Sequence, residues 1–139
     1  MPCYKPMAAY YGPGGVKFKR SESFGTAVEL PCGYCVGCRL EKAKSWAIRC
    51  HHEASLFNEN CFITLTYDDE HLPANSNLDK THFQKFIRAL RQKTKAKIRY
   101  YMCGEYGDET KRPHYHAILF NWDWPDKYLW RIKNERRYY

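Results

Sequence analysis

The stretch that decides the reading is Arg112-Pro113-His114-Tyr115-His116-Ala117-Ile118-Leu119-Phe120. Side chains alternate along a strand, so His114 and His116 share one face while Tyr115, Ala117 and Leu119 take the other. One face suits a core and the other carries two imidazoles pointing the same way. A His-x-His pair alone fits either a polar wet face or a metal site. The preceding segment, Lys97 to Tyr106 (KIRYYMCGEY), tips the balance. By the same alternation Arg99, Tyr101, Cys103 and Glu105 share one face, and a hairpin about the Gly107 to Lys111 turn sets Glu105 near His114. Two imidazoles and one carboxylate occupy three positions around an ion and leave others open, which a catalytic metal needs.

Outward from this hairpin the chain reads strand, helix, strand, strand. Cys61 to Tyr67 (CFITLTY) is β-branched and aromatic, with Ile63, Leu65 and Tyr67 on one face and Phe62, Thr64 and Thr66 on the other. A polar loop follows, and Asp79 then reads as the N-cap of a helix that turns Phe83, Phe86, Ile87 and Leu90 inward, with Leu78 and Phe83 placed for a hydrophobic staple. Arg88, Arg91 and Lys93 fall near its negative end. An earlier helix is expected from Leu40, because apolar or small residues recur at Ala43, Ala47, Cys50, Ala54 and Phe57. Arg39, Lys42, Trp46 and Arg49 form a neighbouring stripe on it. Residues 1 to 31, rich in Gly, Pro, Tyr and Lys, show no periodicity and read as an irregular arm. The expected division is an arm with a cysteine cluster over 1–38 and a second domain over 39–139.

The 139 residues, 44% apolar, suit one globular core. The N-terminus lacks a charged n-region and a continuous apolar h-region, so no secretory signal is read, no run spans a membrane, and a cytoplasmic location is expected. Lys and Arg outnumber Asp and Glu by 23 to 15. From Lys80 to Arg99 the chain has Lys85, Arg88, Arg91 and four further basic residues besides Arg99, with no acid among them. Such a field attracts polyanions, and 17% aromatic residues offer stacking surfaces for unpaired bases.

Seven cysteines without a secretory signal argue for thiols or metal rather than disulfides. Cys32, Cys35 and Cys38 in PCGYCVGC are spaced as a knuckle, and Cys3 is the natural fourth ligand of a closed zinc site that would clamp the arm. The bacterial ferredoxin spacing would want another Cys at the position of Lys42.

FITLTY, CGEYG and RPHYHAILF, in that order, resemble the first motifs of the HUH endonucleases, the rolling-circle replication initiators. PCGYCVGCRLEKAKSWAIRCHHEA followed by CFITLTYDDEHLP and YMCGEYGDETKRPHYHAILFNWDWPDK is similar, more narrowly, to the initiators of gokushovirus-type microviruses, over about residues 30 to 127. The resemblance implies an α+β fold: an antiparallel sheet with helices on one face and single-stranded DNA over the other. It further implies His114 and His116 as metal pair, Glu105 as acidic ligand, Mg²⁺ or Mn²⁺ as cofactor, host replication machinery as partner, and the cytoplasm of a bacterial host as location. Members nick DNA through a tyrosine that becomes 5′-phosphotyrosyl and leaves a free 3′-hydroxyl. Arg112, beside the metal strand, is expected to hold phosphates along with Arg39, Lys42, Arg49, Lys85, Arg88, Arg91 and Arg99.

The family's tyrosine is commonly followed by Lys three or four residues on, and none of the 12 tyrosines here is. No nucleophile is assigned. The expectation is a truncated domain that binds single-stranded DNA without cleaving it. Two other readings use the same residues: a non-catalytic, zinc-stabilised single-strand binder, and a metal oxygenase, which leaves the basic field without a role.

Overall fold

The computed structural model describes residues 3–19 and 25–138, the last three by backbone alone. Met1, Pro2 and residues 20–24 of the expected arm, together with Tyr139, lie outside the described residues. The chain is α+β and runs β1 (Met7–Gly12), β2 (Gly15–Lys17), β3 (Thr26–Leu30), α1 (Val36–Ala54), β4 (Asn60–Thr66), α2 (Lys80–Thr94), β5 (Arg99–Tyr106), β6 (Pro113–Phe120), β7 (Arg131–Lys133) and β8 (Arg136–Tyr138).

β6, the histidine strand, is the centre of an antiparallel sheet ordered β4-β6-β5. The alternation in its sequence becomes alternation in burial: Tyr115, Ala117 and Leu119 are buried, whereas His114, His116 and Ile118 are half-buried. α2 covers the first of these faces, where Phe83 and Ile87 join Ile98, Tyr115, Ala117 and Leu119 in the core. Phe83, Ile87, Ile98 and Leu119 each contribute about 1.5–3 kcal/mol by leaving water. The start of α2 is fixed by Asp79, whose carboxylate accepts from the Thr81 N–H at 2.8 Å. Its end is a left-handed residue, Lys95, whose N–H donates to the Arg91 carbonyl. Leu78 packs on the same core and presses on Gly104 of β5, where a Cβ would lie 2.9 Å from a Leu78 methyl. A glycine there lets the staple residue reach the strand.

Pairing along β6 fixes the rows of the other, open face. Thr66, His114 and Glu105 form one row across the three strands; Thr64, His116 and Cys103 form the next; Phe62, Ile118 and Tyr101 the third. The turn closing β5 to β6 holds by the Gly107 N–H to the Arg112 carbonyl and the Lys111 N–H to the Gly107 carbonyl, both 3.0 Å.

Two expectations need correction. The supposed irregular arm contains a second antiparallel sheet, ordered β2-β1-β3. Gly14 and Gly15, at φ of 90° and 102°, make the tight return from β1 to β2, a backbone that glycine adopts without strain. Its strands are short and mix Tyr, Ala, Gly and Lys, so they carry no period of two to read. Along α1 the anticipated apolar face is exposed at Leu40, Ala43 and Ala47 and half-buried only at Cys50, Ala54 and Phe57. Small residues at helical spacing do not by themselves draw a partner. Past Phe120 the chain forms the β7-β8 hairpin, turned by Asn134 and Glu135 at φ of 49° and 62°. Glu is an unusual residue in such a turn, so the signal Asn-Gly would have given is missing.

The chain divides into two compact units, Met1–Arg49 and Cys50–Tyr139. That division falls within α1, whereas the sequence places it at 38/39. Among the described residues no helix is long and apolar enough to cross a membrane.

Candidate functional site

On the open face the β5-β6 register sets Glu105 directly opposite His114, with His116 one row further along. The Glu105 carboxylate Oε2 lies 3.9 Å from His114 Nε2 and 3.4 Å from His116 Nε2. One donor atom from each of the three residues falls within 4.8 Å of the others. The far sides of both rings are held. His114 Nδ1 stands 3.3 Å from the Arg112 carbonyl, which can only accept, so the hydrogen belongs on Nδ1 and the Nε2 lone pair faces Glu105. His116 Nδ1 meets the Thr64 hydroxyl at 2.9 Å. A histidine whose second nitrogen is so anchored is oriented as metal-ligating histidines are.

His114 Nε2 and the Glu105 carboxylate thus turn lone pairs to a common space, and His116 Nε2 adds a third when its Nδ1 carries the hydrogen that the Thr64 hydroxyl accepts. The arrangement suits a cation, and nitrogen and oxygen donors in this set fit a divalent ion of the Mg²⁺, Mn²⁺ or Zn²⁺ kind. Phe62 stacks on His116, ring centroids 5.5 Å apart and planes 19° from parallel, while remaining 65% exposed. An aromatic ring open to solvent beside the imidazole pair is available to a flat partner such as a base.

The remaining predicted residues are not brought to this face as one group. Arg112 donates through NH1 to Asp69 at 2.6 Å and through NH2 to the Tyr67 carbonyl at 2.9 Å, bracing the loop after β4. Arg91 is turned onto the Ile98 carbonyl. Arg99, on the open face at its far end, pairs with Glu53 at 2.9 Å. Lys85 and Arg88 are exposed on α2, which lies against the opposite face of the sheet. In the N-terminal unit Arg39, Lys42 and Arg49 are exposed, and the Arg49 guanidinium lies over the Trp46 ring at 5.1 Å.

Cys3, Cys32, Cys35 and Cys38 come together as a second group able to hold a metal, their sulfurs all within 4.8 Å of one another. None is in a disulfide. Backbone N–H groups point at the sulfurs: Cys32 to Cys3 at 3.3 Å, Tyr4 to Cys35 at 3.4 Å, Cys35 to Cys32 at 3.4 Å and Cys38 to Cys35 at 3.5 Å. The Cys38 and Tyr4 N–H groups pull the Cys35 thiol down to about 6. The Cys32 N–H likewise lowers Cys3. Cys38 behaves oppositely: the Gly33 N–H favours its thiolate, but burial and the three neighbouring sulfurs push it up to about 12. Four bare thiols so close do not all ionise without a cation among them.

Sequence reasoning did not find Thr64, Phe62 or Asp69 as supporting residues. Alternation places Thr64 and Phe62 on one face of β4, but not which strand that face adjoins.

Comparison with known proteins gives one family model, "Replication-associated protein ORF2/G2P", matching residues 60–138. The chain is 37% identical over 132 residues to the replication-associated protein VP4 of Bdellovibrio phage phiMH2K, covering 87% of this chain and 42% of that protein. It is 37% identical over 122 residues to the replication-associated protein ORF2 of Spiroplasma virus 4, covering 81% and 38%. With ORF4 of Chlamydia phage 1, also a replication-associated protein, identity is 38% over 97 residues, covering 67% and 24%. The chain thus matches about two fifths or less of the length of these relatives. No solved structure matches it.

Proposed function

We infer the function from one premise: the chain belongs to the replication-associated protein ORF2/G2P family. It is the strand-holding and metal-holding part of a viral replication initiator acting on single-stranded DNA inside a bacterial host cell. The whole protein nicks the origin by an HUH-type tyrosine transesterification, and host replication proteins extend the 3′-hydroxyl.

The observation that carries this reading is the convergence of Glu105, His114 and His116 on one open face, each imidazole anchored by its other nitrogen. These residues would hold Mg²⁺ or Mn²⁺, which supplies electrophilic polarisation of a phosphodiester oxygen. The chain's own contributions are separable from that chemistry. Thr64 and the Arg112 carbonyl fix the imidazoles, so the donor set is ready without reorganisation. Glu105, more exposed than either histidine, brings the negative charge that favours a divalent over a monovalent cation. Phe62 offers a stacking surface next to the site, and the net charge of +8 favours a polyanion. No tyrosine here is assigned as nucleophile, and the expected behaviour of this chain is to bind single-stranded DNA without a covalent adduct.

The test is the affinity of the chain for a labelled single-stranded oligonucleotide with and without Mn²⁺. Mn²⁺ should tighten binding at least several-fold for the wild type and leave His114→Ala with His116→Ala unaffected. Equal affinity in all four conditions would leave only a metal-independent single-strand binder. A protein-linked DNA fragment on a denaturing gel, mapping to Tyr128, Tyr138 or Tyr139, would show that this chain carries its own nucleophile.

A further inference from the structure

The unit Met1–Arg49 holds a three-stranded sheet and the head of α1, yet among its described residues Ala9 is the one buried hydrophobic side chain. Tyr4, Tyr11, Phe18, Tyr34 and Val36 are all more than half exposed. A unit of under 50 residues buries too little apolar surface to offset the conformational entropy lost on folding, and chains of this size usually rely on disulfides, metals or association. The disulfide solution is not in use here, since the cysteines are free.

The four sulfurs stand where a staple would act. Cys3 precedes β1, Cys32 follows β3, Cys35 directly precedes α1 and Cys38 lies in its first turn. A tetrahedral ion with bonds of about 2.3 Å sets its ligand sulfurs about 3.8 Å apart. Cys3 and Cys35 are separated by 3.8 Å and Cys32 and Cys38 by 4.0 Å, two opposite edges of such a tetrahedron. The backbone N–H groups aimed at the sulfurs stabilise thiolate rather than thiol.

We propose that Cys3, Cys32, Cys35 and Cys38 bind one Zn²⁺ as a closed tetrathiolate, and that this ion, in place of an apolar core, holds the N-terminal unit in its fold. Soft thiolates and tetrahedral geometry select zinc over the Mg²⁺ or Mn²⁺ proposed for Glu105, His114 and His116. Four sulfur ligands leave no open position, so the ion is structural. Binding displaces whatever thiol protons remain, and these pass to solvent.

The experiment uses the full 139-residue chain, purified under reducing conditions without added metal. Elemental analysis should find about one zinc per chain, retained in Cys50→Ser and Cys103→Ser and lost in Cys35→Ser. Iron in its place, or no metal with the four cysteines oxidised, overturns the assignment. Because Cys35→Ser could simply misfold, the wild type is also stripped with a chelator and followed by amide NMR. Signals from 3–49 should collapse and those from β4, β5 and β6 persist, with recovery on adding one equivalent of Zn²⁺. Co²⁺ in place of zinc should give the intense visible absorption of tetrahedral thiolate coordination. A stripped chain that keeps its N-terminal signals, or a Co²⁺ form without those bands, refutes the proposal. The readout is independent of DNA and of Mn²⁺, so its failure is distinct from failure of the replication reading.

Discussion

Four sulfurs around the head of α1 and three side chains on the open sheet each gather donor atoms around a point, but the chain assembles them by different means. Three of the four cysteines lie within seven residues of one another, and their orientation comes from backbone N–H groups of the same knuckle and of Tyr4. Such a site is local and needs no distant packing beyond the return of Cys3. The Glu105, His114 and His116 set is drawn from two strands and oriented by a third, through Thr64 of β4, 52 residues before His116. It depends on sheet register, which depends in turn on the core under α2. A group built by the backbone should survive damage to the core, and a group built by register should not.

The largest effect that would break this comparison comes from the core itself. Leu119, fully buried beneath the open face, should cost about 2–5 kcal/mol when replaced by Ala. Urea denaturation of Leu119→Ala should show Mn²⁺ affinity disappearing with the sheet while metal at the four cysteines persists. Simultaneous loss of both would mean that the two groups share one folding unit.

Removing ligands directly comes next. His114→Ala combined with His116→Ala should weaken Mn²⁺ by calorimetry at least about 100-fold, with the melting temperature little changed, since both rings sit half-buried on the face away from the core. Equal Mn²⁺ binding by this variant and the wild type would remove the open-face site.

A smaller loss should follow from the anchor alone. Thr64→Val keeps the shape but leaves His116 Nδ1 without its hydroxyl, and about 10-fold weaker Mn²⁺ binding is expected with zinc content unchanged. An unaltered affinity would show that the stack of Phe62 on His116 suffices to orient the ring.

The smallest effect is a pH dependence. The Thr81 N–H, then its side chain, holds the Asp79 carboxyl below its ordinary value. A depressed carboxyl stabilises the fold fully above the unfolded value near 4 and loses that contribution as pH falls through the folded one. Urea midpoints should therefore drop slightly below about pH 4. Asp79→Asn caps the helix equally well without ionising, so its midpoint should lose this part of the pH dependence.

Much of this is legible in the sequence alone. The period of two in RPHYHAILF gave both the buried face and the imidazole face, because alternation is a property of the strand alone. Glu105 followed from counting back across a short turn, and the cap at Asp79 from local hydrogen-bonding capacity; each is a near-neighbour relation. The PCGYCVGC spacing is legible for the same reason, whereas Cys3, 29 residues before Cys32, is brought to the other three only by the fold. What only the tertiary structure decided was adjacency between distant elements. That β4 lies beside β6, so that Thr64 anchors His116, follows from a register set by the core and not by any turn. That Arg91 and Arg112 are spent on the carbonyls of Ile98 and Tyr67, and that Lys85 and Arg88 stand on the side of the sheet away from Glu105, follows from where a long side chain finds acceptors once the chain is folded. Composition counts charges, but only packing decides which of them are left facing a ligand.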